Sequence, residues 1–397
     1  MHGRWQRAVL TGLFGFGMSG GWAQTRLTTV SLKPYGWMSA QELSLQHADP
    51  DRKGWMISGP PGGAAWGGVG EVVLDGQGHV YVGLPIWASG DAPKSAARVH
   101  GDELEVLVLN AGNGELQRTL HFPTKSLDRL DLRLAADGAP LVVANDKLMR
   151  LDGNGRPSAE LALPNEQKEY EPWYLQSSTT GRTIRVRINY KSTMLVDAQT
   201  LKVLKRCQEA SDSNDFGTMT DDLELLSEVE SAPPNLKYGL ERETFCEKRE
   251  RLLLFGDIGF VPSVVDAGRF LAIGRDTIAL RKLSGETVWT SKAPAGRVLQ
   301  NGQGEDRLSR DGSRVAVKVL RPVEHRKPES LHSDTVEVED QIAVWDVATG
   351  RLAGQAPIQA DDSASMFYKA GSAFALSPDG RLLAVLQDGL LVVWKLE

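Results

Sequence analysis

One arrangement recurs along this chain and restricts what it can fold into: an apolar strand, a reversal of the Asp-Gly kind, a second strand, a third, then another reversal and a fourth strand. A repeat of this length outranks any local propensity as evidence. It is plainest at the C-terminus, where Phe374 to Glu397 reads FALSPDGRLLAVLQDGLLVVWKLE, with Asp379-Gly380 and Asp388-Gly389 at the reversals. Both positions of a two-residue Asp-Gly turn accept positive φ, which suits tight hairpins. The preceding unit reads DRLSRDGSRVAVKVL and, after an insertion, DQIAVWDVATGRLAGQAP. Further units lie at 264–294, 173–207 and 131–164, and the first starts at Glu71 with EVVLDGQGHVYVGLP and resumes as ELEVLVLNAGNGELQRTLHFP.

These are six readable units. Residues 208–259 leave room for one more, in which LELLSEV and ERLLLFG read as strands without a clean Asp-Gly turn, so this segment is expected to be a degenerate blade. A four-stranded sheet of roughly 35 to 50 residues cannot bury both of its faces alone, and such sheets stack radially. The expected fold is therefore all-β: a β-propeller of seven four-stranded blades, built from residues 24–397 as one domain. A β-sandwich also supplies many short strands, but it does not repeat one turn pattern at the same offsets. The composition, 41% hydrophobic with 41 glycines, fits a turn-rich globular chain.

The last unit holds only three strands, and an open sheet edge invites aggregation. The β-branched segment Arg26 to Leu32, RLTTVSL, is expected to supply the missing strand by pairing with Leu390 to Leu396, so that the two ends of the chain share one blade. Residues 24–70 thus read as a closing strand followed by a connection rich in Gly and Trp.

The first 23 residues have the pattern of a secretory signal peptide: a basic start at Arg4 and Arg7, an apolar run from Ala8 to Met18, and a small-residue exit before Gln24. The run is too short to span a bilayer, which takes roughly 20 residues, and no later stretch approaches that. A periplasmic or secreted protein is expected. Its formal charge is -6, and losing the leader's two arginines makes it more acidic still, which argues against nucleic acid as a partner. In an oxidising compartment the two cysteines, Cys207 and Cys246, are expected to form one disulfide.

Two stretches resemble the WD-repeat family. VWDVATG at Val344 to Gly350 is similar to the end of its third strand and the following turn, and SPDGRLLAV at Ser377 to Val385 resembles its first hairpin. Trp394 departs from the pattern, being followed by Lys395 instead of Asp. The resemblance implies a rigid platform for a protein or peptide. LSGETVWTSKAP, Leu283 to Pro294, is similar to the turn motif of quinoprotein-like propellers, but with only a faint echo at Gly112 to Leu120 it implies no quinone, and no cofactor is expected.

Propeller topology places loops between second and third strands, and those joining successive blades, on one face. Three insertions then share that face: 33–70 with Trp37, Trp55 and Trp66; 86–103 with Trp87, Arg98 and His100; and 321–341 with His325, Arg326 and His332. In a closed seven-bladed ring they form one rim, and aromatic and Arg residues on loops over a rigid scaffold are candidates for binding. His100, His325 and His332 match no zinc spacing, so no metal is expected. Beyond residue 23 there is no nucleophile elbow, P-loop or dinucleotide fingerprint. The expectation is a monomeric, non-catalytic scaffold for a protein, peptide or envelope component. The alternative is a propeller enzyme acting on a sugar or lactone, with acids drawn from runs such as TDDLELLSEVE at Thr220 to Glu230.

Overall fold

The computed structural model describes residues 24–35, 71–83, 103–123, 131–144, 147–163, 174–188, 192–208, 218–220, 224–230, 238–244, 248–254, 261–300, 307–326, 333–358, 372–387 and 389–397. The chain opens with β1 (Thr25–Ser31) and a single 3-10 turn, Lys33–Tyr35. Sheet 1 follows, from β2 (Glu71–Leu74), β3 (His79–Gly83), β4 (Glu103–Asn110) and β5 (Leu116–Pro123). Sheet 2 is β6 (Asp131–Leu134), β7 (Pro140–Ala144), β8 (Lys147–Leu151) and β9 (Pro157–Ala162). Sheet 3 is β10 (Tyr174–Ser177), β11 (Thr183–Ile188), β12 (Ser192–Asp197) and β13 (Val203–Gln208). Sheet 4, in the segment with no clean Asp-Gly turn, is β14 (Thr218–Met219), β15 (Glu224–Glu230), β16 (Tyr238–Thr244) and β17 (Lys248–Leu254).

Sheet 5 is β18 (Val261–Asp266), β19 (Arg269–Ile273), β20 (Thr277–Lys282) and β21 (Thr287–Lys292). Sheet 6 is β22 (Val298–Leu299), β23 (Arg307–Leu308), β24 (Arg314–Arg326), β25 (Ser333–Asp346) and β26 (Leu352–Pro357), and sheet 7 adds β27 (Ala373–Leu376), β28 (Leu382–Gln387) and β29 (Leu390–Lys395). Within each sheet the strands pair in antiparallel order, so the protein is an all-β propeller of four-stranded blades. The expectation of seven such blades is corrected: six sheets are four-stranded, and sheet 6 has five strands because β22 and β23 both pair with β24.

Sheet 7 reaches four strands only through the N-terminal segment. β1 runs antiparallel to β29, with Thr25 opposite Lys395 and Ser31 opposite Leu390, and a bulge between Arg26 and Thr28. The Arg26 guanidinium lies 5.0 Å from the centre of the Trp394 ring, a cation–π contact across the same seam.

Burial explains the arrangement. β19 is buried at all but its first residue, as expected of a strand covered on both faces by neighbouring sheets, whereas β21 alternates, as an outer strand with one wet face must. The innermost strands β2, β6, β10, β14 and β18 touch in succession, β27 touches both β2 and β23, and one apolar cluster containing Leu271, Ile278, Val315 and Trp345 joins sheets 5 and 6. The sheets therefore close into a ring. Other clusters fill the wedges between sheets 7 and 1, 1 and 2, 2 and 3, and 6 and 7.

Candidate functional site

The structure changes the character of the third insertion. Of residues 321–341, expected as a polar loop, 321–326 and 333–341 instead continue sheet 6 as a two-stranded ribbon. β24 is 13 residues long and β25 is 14, and they stay paired from Arg314 opposite Asp346 out to Arg326 opposite Ser333. At about 3.3 Å per residue this is roughly twice the reach of an ordinary blade strand. The sequence of β25 carries the signal for this, since Thr335 to Glu339 alternates apolar and acidic residues. Pro322 and the charge density disguise it.

The ribbon is aimed by its root. The ladder slips between Val319 and Leu320, leaving Asp340 as the extra residue of a β-bulge, and a bulge adds local twist and bends the strand that carries it. The Asp340 carboxylate accepts from Arg297 Nε and lies 3.6 Å from Arg321 Nε, so cations from two elements brace the bulge. Next to it, the Glu339 carboxylate pairs with Lys318 Nζ at 3.1 Å and accepts the Ser372 backbone N–H at 2.8 Å, tying the root to sheet 7. Lys318 is 4% exposed, a burial that an ammonium tolerates only when paired.

Among the described residues, Gln300 Oε1, Gln341 Nε2 and Ser372 Oγ at this root are buried with no hydrogen-bond partner. All three residues adjoin the braced core, because Gln300 N–H donates to the Lys318 carbonyl and Gln341 stands opposite Val319.

Of the predicted site residues, His325 and Arg326 lie on β24 and not on a loop, opposite Asp334 and Ser333. Trp37, Trp55, Trp66, Trp87, Arg98, His100 and His332 lie outside the described residues, as does the predicted leader. The described ends of the three insertions do belong to neighbouring sheets: Tyr35 leaves sheet 7, Gly83 and Glu103 bound the gap in sheet 1, and the ribbon rises from sheet 6. Cys207 sits half-buried on β13 opposite Thr193, and Cys246 lies outside the described residues.

Sequence reasoning missed a second polar cluster, in the β2–β3 hairpin. The Asp75 carboxylate, 6% exposed, accepts the backbone N–H groups of Gln77 and His79, both at 2.8 Å, and meets His79 Nδ1 at 2.7 Å and the Tyr81 hydroxyl at 3.5 Å. Burial first, and then the Asp75 charge, push the Tyr81 phenol above its ordinary pKa. An Asp–His pair can serve proton transfer, but here the carboxylate is consumed in holding its own turn, the role of an Asx side chain. Among the described residues no group of three or more His, Cys, Asp or Glu is placed to hold a metal ion, and no helix is long and apolar enough to cross a membrane.

The fold defines a β-propeller. The sequence matches no protein-family model and no curated protein. By shape, 1287 chains of solved structures match. A chain in a crystal structure of the mitotic checkpoint complex is 13% identical, superposes with a TM-score of 0.50, and covers 97% of this chain and 100% of its own length. At that identity the likeness shows the fold alone, and a fold shared so widely carries no function by itself.

Proposed function

We propose that this protein is an exported, non-catalytic propeller scaffold of WD-repeat kinship that binds a protein or peptide of the cell envelope through its insertion-bearing face. The observation that carries this reading is the β24–β25 ribbon, which extends past the blade on a bulge held by Arg297, Arg321 and Asp340. Ordering a projection this long costs conformational entropy that a blade does not need to spend for its own stability. Rigid presentation is what a binding element requires, because less order is then lost on association. The 33–70 and 86–103 insertions, leaving adjoining sheets, widen the same rim with Trp37, Trp55, Trp66, Trp87, Arg98 and His100. In this reading the leader is removed on export, and Cys207 and Cys246 are bridged between sheets 3 and 4.

The test is to replace Pro322 to Glu337 with Asn-Gly, which joins the opposed residues Arg321 and Val338 through a two-residue hairpin turn. Thermal stability is expected to stay within a few degrees of wild type while capture of a partner from the envelope fraction is lost. Undiminished capture would overturn the reading. Free-thiol titration of the unfolded, unreduced protein tests the bridge, and two reactive thiols would eliminate it.

A further inference from the structure

The face opposite the insertions is formed by the hairpin turns between first and second strands, and one side chain there crosses the axis of the ring. Arg310 lies in the β23–β24 turn of sheet 6. That turn is firmly held: Ser309 Oγ donates to Asp311 at 2.7 Å, Arg314 N–H donates to Ser309 Oγ at 2.9 Å, and Asp311 N–H donates to the Pro378 carbonyl of sheet 7 at 3.1 Å. From this base the Arg310 guanidinium donates to the carbonyls of Leu134 and Ala135 in sheet 2 and, at 3.3 Å, of Thr180 in sheet 3. Whichever way round the ring one counts, at least two sheets separate sheet 6 from either of these, so the contact spans the centre and not a seam.

The surrounding turns are shaped for it. Gly181 has φ +72°, which favours glycine, and a Cβ there would run into the guanidinium. Gly76 lies against Pro378, a Cβ at Gly138 would sit 3.8 Å from Gly76 N, one at Gly312 would sit 3.8 Å from the Val265 side chain, and Thr179 N–H donates to the Met219 carbonyl at 3.2 Å. Turns from sheets 1, 2, 3, 6 and 7, with the ends of β14 and β18, thus touch one another in succession on this face, and those of sheets 2 and 3 meet the Arg310 head group. Burial pulls its pKa down to about 10, with Asp137 opposing the shift, so it remains a cation at neutral pH. An apolar side chain of similar length would fill the space without that desolvation. What the guanidinium adds is a set of forked donors that gather inward-pointing carbonyls from opposite sides of the ring.

We infer that Arg310 is an axial latch: it closes the hairpin-face mouth of the propeller and ties sheet 6 to sheets 2 and 3. The inference does not depend on the proposed partner. Amide hydrogen exchange of the full chain tests it. In Arg310→Met, exchange at Gly138, Thr179 and Gly181 is expected to speed by about tenfold or more, with Gly312 and Ser313 in the residue's own turn near wild type. Arg310→Lys, a point charge without the fork, is expected to fall between. Gly181→Ala displaces the head group while keeping the arginine, and should reproduce the Met pattern should that variant fail to fold. Unchanged exchange in sheets 2 and 3, or acceleration no greater there than in the turn of sheet 6, would overturn the latch.

Discussion

Gly350 shows how closely adjoining sheets are fitted. It ends the third-to-fourth-strand turn of sheet 6 with φ +69°, and a Cβ there would stand 2.6 Å from ring atoms of Trp289 in sheet 5, whose Nε1 donates to the Val347 carbonyl at 2.9 Å. Gly350→Ala adds a left-handed alanine, costing about 1 kcal/mol, to a clash with an aromatic ring. A loss of roughly 2–4 kcal/mol is expected by urea denaturation, and it should shrink in a Trp289→Leu background, where the ring is gone. Sheet 3 solves the same problem differently. Its turn Asp197–Leu201 has the bonds of Asp346–Gly350, with Asp197 Oδ1 accepting from the Thr200 N–H and hydroxyl, both at 2.7 Å, yet Leu201 takes φ 55°. The Leu201 side chain is buried in the cluster between sheets 2 and 3, against which the small Ala159 packs. Leu201→Gly relieves about 1 kcal/mol of backbone strain but empties a site worth about 2–5 kcal/mol, so a net loss of stability is expected. Alignment of DAQTL with DVATG would have exposed this exchange in the sequence. Arg310 left no such trace, because its partners lie more than a hundred residues away and no local pattern specifies them.

At the scale of the element, the turns set both legibility and acid sensitivity. Where Asp-Gly or Asp-x-x-x-Gly marks a reversal, the strands could be read in advance, since the side chain caps its own turn and the glycine supplies positive φ. Sheet 4 lacks those marks, so only its strands β15 and β17 were legible, as part of a degenerate blade, while the ribbon hides its alternation among charges and reads as a loop. The same caps hold several turn carboxyls below their ordinary pKa. Asp197 is lowered chiefly by its bond from Thr200 and Asp137 by its bond from Arg150, while Asp311 is lowered despite burial because Ser309 and Ser313 donate to it. A depressed carboxyl stabilises the fold above its unfolded pKa and loses that contribution as pH falls through the lower, folded value. Asp197→Asn is therefore expected to be less stable than wild type at pH 7, with the gap closing as pH drops below about 4. Denaturation midpoints at pH 7, 5 and 3 check this; a constant gap would mean the charge contributes nothing. At the ribbon root the opposite logic applies: Ser372→Ala removes a buried hydroxyl that has no partner among the described residues and is expected to leave stability unchanged or raise it by about 1 kcal/mol.

For the whole molecule, ring closure is the property on which the rest depends, and the nine-residue segment 24–32 controls it. Besides pairing with β29, that segment holds both neighbouring sheets: Gln24 accepts the Gln355 N–H at 2.8 Å and donates to the Gln355 carbonyl of sheet 6, while Thr28 and Val30 press on Gly114 of sheet 1. Leu32 is fully buried in the cluster between sheets 7 and 1. This closure was legible because a three-stranded final unit and a β-branched segment far upstream each lacked a partner. Deleting residues 24–32 strips β29 of its outer neighbour and empties the Leu32 site, leaving a flat apolar edge exposed to other copies. The melting temperature is expected to fall by roughly 10 °C or more, with aggregation above micromolar concentration. A synthetic peptide of residues 24–35 supplied in trans should reverse both effects, because the groove it fills is defined by the rest of the ring. A truncated protein that melts like the full chain would mean that the ring is held shut by its inter-sheet cores, and that β1 only covers an edge.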